Sequence, residues 1–436
     1  MTRLASLFTD HMVLQSGRSN PIWGWDRPGQ AVTLRIEAAR SMLDVVTAVT
    51  EADGAFRIAC PALPVGGPYR LHVSGSRECT LDDVLSGEVW LASGQSNMEW
   101  KVSMSAHGAV EAAQARWPQI RVFGVAQRAA REPQTLVDGS WRPCSPETAG
   151  DFSAVGYYFA REIHRRLSVP VGVIDASWGG TRVEAWTSIE ALRSVMDIDA
   201  ERAHSENEPG ALYHGMIAPL VPFGLRGVIW YQGESNVDNH PTYRDRFVAL
   251  VRDWRAKWNG TGEVAFYFVQ LAGFVDSLAW AYLREAQAEA LAEPATGMAV
   301  TIDIGDPDDI HPRNKQDVGR RLALVALAGS YGQSGVEWSG PSVDRVEIGP
   351  GGVRVAFRHA AGLRARGGGE VRGFALAGDD RVCRAAQARI DGDAVIVTSP
   401  AVEVPVTVRY AWADNPDANL ENAAGLPAAP FRTDRW

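Results

Sequence analysis

Glu88-Val89-Trp90-Leu91-Ala92, followed at once by Ser93-Gly94-Gln95-Ser96-Asn97-Met98-Glu99-Trp100, is the stretch whose reading decides the fold. A run with almost no polar break describes a strand buried on both faces, and such strands belong to parallel sheets covered by helices. The same kind of run recurs at Val171–Asp175, Gly227–Tyr231, Val264–Leu271 and Met298–Ile304. Between the runs lie helical patterns. The clearest is Tyr243, Phe247, Leu250, Val251, Trp254 and Trp258, whose spacing of three and four puts all six on one face. Residues 86–335 therefore read as an α/β domain with a mostly parallel sheet.

Working outward, residues 1–85 read as a small β-sandwich. Short strands at Val13–Leu14, Ile22–Trp25, Ala31–Ile36, Phe56–Ala59 and Tyr69–Val73 are separated by turns at Arg27-Pro28-Gly29, Asp53-Gly54 and Gly66-Gly67-Pro68. Beyond Gly335 the helical patterns stop. Val353, Val355 and Phe357 alternate with polar residues, and Ala388–Thr398 folds as a hairpin around Asp391-Gly392-Asp393, so 336–436 reads as a second β-rich domain.

The chain of 436 residues is too long for one small binding module, and its 46% hydrophobic and 22% charged residues describe a folding chain. Lys and Arg number 43 against 52 Asp and Glu, a net charge of −9, so nucleic acid and membrane surfaces are unfavourable partners. Met1–Gln15 carries Thr9, Asp10 and His11 where a secretory signal needs an unbroken apolar core. That points to the cytoplasm, with the periplasm or secretion expected only for a trimmed chain. Cys60, Cys79, Cys144 and Cys383 have no metal spacing and read as reduced, although Cys60 and Cys79 share one β segment and leave a bridge open. The 15 Trp residues suit core packing or stacking on sugar rings.

In open α/β sheets ligands bind beyond the carboxyl ends of the strands. After Ala92 comes Ser96, a serine on a tight turn behind Gly94, able to expose its hydroxyl as a nucleophile or simply to cap a helix. After Ile304 comes Gly305-Asp306-Pro307-Asp308-Asp309-Ile310-His311-Pro312. An aspartate three residues before a histidine can accept from Nδ1 and fix the tautomer so that Nε2 acts as base. The rival readings of this loop are a metal site and a solvated acidic turn. Ser177-Trp178-Gly179-Gly180-Thr181-Arg182 and Gln232-Gly233-Glu234-Ser235-Asn236 follow two further strands and supply glycine N–H groups and side-chain amides, the neutral donors of an oxyanion hole.

Taken together, the order Ser, Gly, Asn and then Asp-x-x-His resembles the four blocks of the SGNH hydrolase superfamily. GQSNMEW, SWGGTRVEAW, WYQGESN and DIGDPDDIHPRNKQDVGRRLAL are similar to the sialate O-acetylesterase family, as are LFTDHMVLQ, PIWGWDRPG and GGPYRL near the start and RYAWADNPDANLENAAGLPAAPFRTDRW at the end. The resemblance implies a three-layer α/β/α catalytic domain flanked by β-rich domains, and a serine esterase removing O-acetyl groups from carbohydrates, either sialate or acetylxylan-type. It implies Ser96 as nucleophile, His311 as general base and acid, and Asp308 as the orienting residue, with Asp309 and Asp306 as competitors. Gly180, with Gly179 next, is the implied block-two glycine. The oxyanion donors are then the N–H groups of Ser96 and Gly180 and the side chain of Gln232 or Asn236, because Asn236 arrives one residue late for the family's register. Gln95, Asn97, Glu234 and Arg182 are candidates for substrate binding. No metal or cofactor is expected. Gly332-Gln333-Ser334 repeats the nucleophile's tripeptide but reads as linker, and His204, His214 and His240 lack the preceding aspartate. The competing functions are a non-catalytic carbohydrate-binding protein and a lipase or thioesterase of the same superfamily.

Overall fold

The structure is a computed structural model that describes residues 1–39, 41–198, 205–259, 263–275 and 279–436. Its contacts gather the chain into two compact units. The first is Met1–Gln232 with Asp245–Tyr267 and Lys315–Ala323, and the second is Gly233–Arg244 with Phe268–Asn314 and Leu324–Trp436. These units run along different lines from the sequence boundaries at 85/86 and 335/336.

The first unit begins with β1 (Arg3–Leu4), β2 (Val13–Gln15), β3 (Asn20–Trp25), β4 (Ala31–Ala38), β5 (Ser41–Val49), β6 (Ala55–Cys60), β7 (Gly66–Ser74) and β8 (Glu78–Gly94). β1, β3 and β6 form one antiparallel sheet, and β4 lies between β5 and β7 in another. β5 is absent from the sequence reading. Among the described residues it pairs only with β4, and it leaves Met42, Leu43, Val45 and Val49 exposed, without the alternation by which a half-buried strand announces itself. Cys60 and Cys79 are free thiols, and burial pushes the Cys60 thiol up to about 12.

β8 joins this region to the central sheet without a break. Its first half pairs antiparallel with β7, and from Val84 onward every residue is buried. Val13–Gln15 runs parallel to Leu85–Gly87. The sheet continues with β9 (Trp117–Gly124), β10 (Trp141–Cys144), β11 (Val171–Ser177) and β12 (Gly227–Tyr231). β11 and β12 flank β8 in parallel, β9 lies parallel beyond β11, and β10 is antiparallel to β9. The sheet is therefore mixed, which refines the mostly parallel expectation at that edge.

Helix Ala154–Leu167 covers the sheet with Val155, Phe159 and Ile163. Ser153 caps it, its Oγ accepting the Gly156 N–H at 3.1 Å while donating to the Met98 carbonyl at 2.6 Å, which ties the helix start to the turn after β8. The expected apolar face of helix His240–Lys257 is buried at all six positions. Within the first unit Trp230 lies 5.8 Å from Trp254 and 6.2 Å from Trp186, and Trp90 lies edge-on to Phe159 at 5.0 Å. These indoles pack the core rather than a sugar.

β13 (Ala265–Gln270) divides between the units, and β14 (Thr296–Val300) lies beside it. The second unit holds two four-stranded antiparallel sheets near the C-terminus. The expected hairpin is present, with Asp391 opposite Ala394 and Gly392 at φ +67°, the glycine-first geometry of a tight turn that twists with its strands. Arg284 on helix Ala279–Glu289 is fully buried in this unit. Its guanidinium donates to the carbonyls of Leu271, Ala272 and Ala413 at 2.8 Å each and of Asp414 at 2.6 Å. No described helix is long and apolar enough to cross a membrane.

Candidate active site

The turn after β8 is forced by glycine. Gly94 has φ +139°, and a Cβ there would lie 2.1 Å from the Tyr231 carbonyl oxygen. The chain can therefore pass flush against the end of β12, where the Gln95 N–H donates to the Tyr231 carbonyl at 3.0 Å. Gln95 is buried and extended, and Ser96–Glu99 forms one helical turn, with the N–H groups of Met98 and Glu99 returning to the Gln95 carbonyl at 2.9 and 3.0 Å. Ser96 opens that turn and is half-buried. Asn97 points inward, its Oδ1 accepting from Nζ of Lys315. Lys315 has no exposed surface and lies 5.7 Å from the ring centres of both Trp100 and Tyr231.

β11 ends in register with β8, Ser177 opposite Gly94, and the Trp178 N–H donates to the Gly94 carbonyl at 3.1 Å. The double glycine that follows uses each residue differently. Gly179 is closely packed, since a Cβ would meet Ser96 Cβ and Glu99 Oε2 at 3.2 Å each. Gly180 has open space around it but sits at φ +73°. The Gly179 N–H donates to Glu99 Oε2 at 2.7 Å, whereas the Gly180 N–H has no acceptor among the described residues. Gly180, ranked first on the sequence, is thus the glycine with an uncommitted donor. Arg182 is exposed, with its backbone N–H on Asn207 Oδ1 at 2.8 Å. Gln232 is fully buried, and its side-chain amide donates to the Thr181 carbonyl at 3.1 Å.

Asn236, Glu234, Asp308 and His311 belong to the second unit. Gly233, at φ +156°, leads into the short 3-10 turn Glu234–Asn239, in which Glu234 is half-buried and Asn236 fully buried. In the loop after β14, the Asp308 side chain is exposed and its N–H donates to Asp306 Oδ1 at 3.0 Å. Asp309 Oδ1 accepts the His311 N–H at 2.9 Å and lies 3.7 Å from His311 Nδ1, while its Oδ2 takes Arg313 at 3.3 Å. The His311 N–H bond and Arg313 hold the Asp309 carboxyl below its ordinary range. The root of this loop is tightly packed. A Cβ on Gly305 would meet the Gly273 carbonyl oxygen at 2.2 Å, and the Val275 N–H donates to the Pro307 carbonyl at 3.2 Å. The strand-end segment 271–275 is in turn held by Arg284.

The sequence profile of a carbohydrate esterase family, the sialic acid-specific acetylesterases, matches residues 86–328. A carbohydrate acetylesterase from Xanthomonas citri, known as a crystal structure, is 42% identical over 100% of both chains with a TM-score of 0.94. Sialate O-acetylesterase of Mus musculus is 30% identical, with 98% of this chain and 94% of the mouse protein covered, and that of Homo sapiens is 32% identical over 79% and 74%. The chain belongs to the sialic acid-specific acetylesterase family. This esterase is a carboxylic ester hydrolase with the carbohydrate esterase fold, a mixed sheet flanked by β-rich regions.

Three polar residues of the esterase escaped assignment on the sequence: Glu99, Lys315 and Asp175. Glu99 and Lys315 stand inside the quoted motifs; Glu99, a carboxylate between Met98 and Trp100, carried a signal, whereas Lys315 lies among the polar residues Arg313, Asn314, Gln316 and Asp317. Of the histidines set aside, His214 is buried with Nδ1 3.3 Å from the Ala130 carbonyl, and His240 stacks on Tyr282 at 5.2 Å. His204 lies outside the described residues. Gly332, at φ +60°, follows helix Lys315–Gly329 and turns the chain.

Proposed function

We propose that this esterase removes O-acetyl groups from carbohydrates by way of an acetyl-serine intermediate, on a catalytic domain of the SGNH type. Ser96 Oγ attacks the acetyl carbonyl while His311 takes its proton, and the oxyanion is met by the N–H groups of Ser96 and Gly180 and one side-chain amide, from Gln232 or Asn236. His311 returns the proton to the departing sugar oxygen, which leaves as a hydroxyl, and water repeats the sequence to release acetate. The observation that carries this reading is the half-buried Ser96 at a glycine-forced strand-end turn, packed against Gly179, which is followed by Gly180, whose N–H has no acceptor among the described residues.

Substrate follows from kinship. Acetylated sialic acid and acetylated plant polysaccharide both suit a sugar alcohol as leaving group, and acetate release from a panel of acetylated sugars separates them. Ser96→Ala is expected to abolish hydrolysis of a chromogenic acetate ester, with the folded fraction checked by circular dichroism. Retention of most of the parent rate would refute the nucleophile. Chelator treatment is expected to leave the rate unchanged.

A further inference from the structure

Glu99 has no part in the chemistry proposed above, yet it stands beside it. A carboxylate near a developing oxyanion opposes the reaction electrostatically, so its presence calls for a compensating role. Both of its oxygens are engaged. Oε2 accepts the Gly179 N–H at 2.7 Å, and Oε1 accepts Gln127 Nε2 at 3.0 Å, the same amide lying 3.3 Å from the Ser177 carbonyl. One side chain from the nucleophile's own helical turn is thereby bonded to the turn after β11.

The rest of that second turn is pinned as well. Thr181 Oγ1 donates to the Trp178 carbonyl at 2.6 Å, Asn207 Nδ2 to the Gly180 carbonyl at 3.0 Å, and Gln232 to the Thr181 carbonyl. Among the N–H groups from Trp178 to Arg182, those of Gly180 and Thr181 are left without an acceptor among the described residues. A charge-assisted hydrogen bond is about twice as strong as a neutral one, which suits Glu99 to holding a glycine pair that has no side chains of its own.

We propose that Glu99 is a positioning residue for the oxyanion hole, accepting the Gly179 N–H so that the Gly179–Gly180 turn is fixed against Ser96 and the Gly180 N–H is kept for the ester oxygen. The proposal rests on the reading of Ser96 and Gly180 given above. It concerns geometry in the transition state, so its effect falls on kcat and not on ground-state binding.

The test is steady-state kinetics of Glu99→Ala, Glu99→Gln and Gln127→Ala on an aryl acetate, with Ser96→Ala alongside. Glu99→Ala is expected to lower kcat by about tenfold or more with KM within about twofold. Glu99→Gln keeps an oxygen to accept the Gly179 N–H and is expected to restore kcat to within about threefold of the parent. Gln127→Ala, which loosens Glu99 from an exposed position, is expected to lower kcat severalfold and carries the test should Glu99→Ala not fold. Parent-like kcat in Glu99→Ala, or in Gln127→Ala where Glu99→Ala does not fold, overturns the proposal. So does equal loss in the Gln and Ala variants, which would assign the effect to charge. An inactive Ser96→Ala with a normal Glu99→Ala removes only the positioning role. An active Ser96→Ala removes the nucleophile reading itself.

Discussion

Asp175 ends β11 with Oδ1 accepting from Ser177 Oγ at 2.6 Å. Burial of its carboxyl, aided by the charge of Glu99 and opposed by the Ser177 bond and Lys101, pushes its pKa up to about 7. An unfolded aspartate ionises near about 4. Between those values the native state holds a proton that the unfolded chain has released, so this group makes stability fall as pH rises from about 4 through 7. Asp175→Asn keeps the acceptor and removes the charge. Its melting temperature is expected to match the parent near pH 4 and to exceed it by a growing margin up to pH 7, beyond which the margin is constant. A margin that shrinks with pH would refute the assignment. At the same scale, the family spacing and the distances favour different aspartates for His311. By the spacing argument, Asp308→Asn costs about 10²-fold or more in kcat and Asp309→Asn less than about tenfold. The reverse order would give the orienting role to Asp309, whose carboxylate lies 3.7 Å from Nδ1.

At the scale of elements, the two glycine turns separate the cost of space from the cost of conformation. Gly94→Ala sets a Cβ 2.1 Å from a backbone oxygen, which cannot swing aside, and is expected to lower stability by more than about 2 kcal/mol in denaturant unfolding. Gly180→Ala meets nothing and is expected to cost only about 1–2 kcal/mol from its positive φ. The same contrast explains what the sequence disclosed. Strands such as β11 and β12, and the six-residue face of helix His240–Lys257, are written in uninterrupted or periodic apolar residues. β9 is not, because it carries Pro118 and the buried Arg121, whose charge is met by Asp83 at 2.7 Å, a partner 38 positions away. The strand-end serine and the loop histidine could be singled out from their chemistry alone. Glu99 and Lys315 were not singled out, because their meaning lies in bonds to Gly179 and Asn97, and such pairings are made only by folding.

On the scale of the whole molecule, β8 is the shared member of two architectures, edge-on to β7 in its first half and central between β11 and β12 in its second. Residues 1–77 are therefore no detachable module. Their removal would strip β8 of both β7 and β2 and expose apolar side chains such as Leu81, Val84 and Leu85. A chain beginning at Glu78 is expected to be insoluble or to lack cooperative thermal unfolding, measured by scanning calorimetry, and a soluble chain with parent-like melting would contradict this. The end of that strand, flanked on both sides from Trp90 to Gly94, also has few ways to open short of global unfolding. Backbone deuterium uptake from Val89 to Ser93 should therefore be among the slowest in the protein, which would seat the reactive hydroxyl three residues beyond the last segment to surrender its protons.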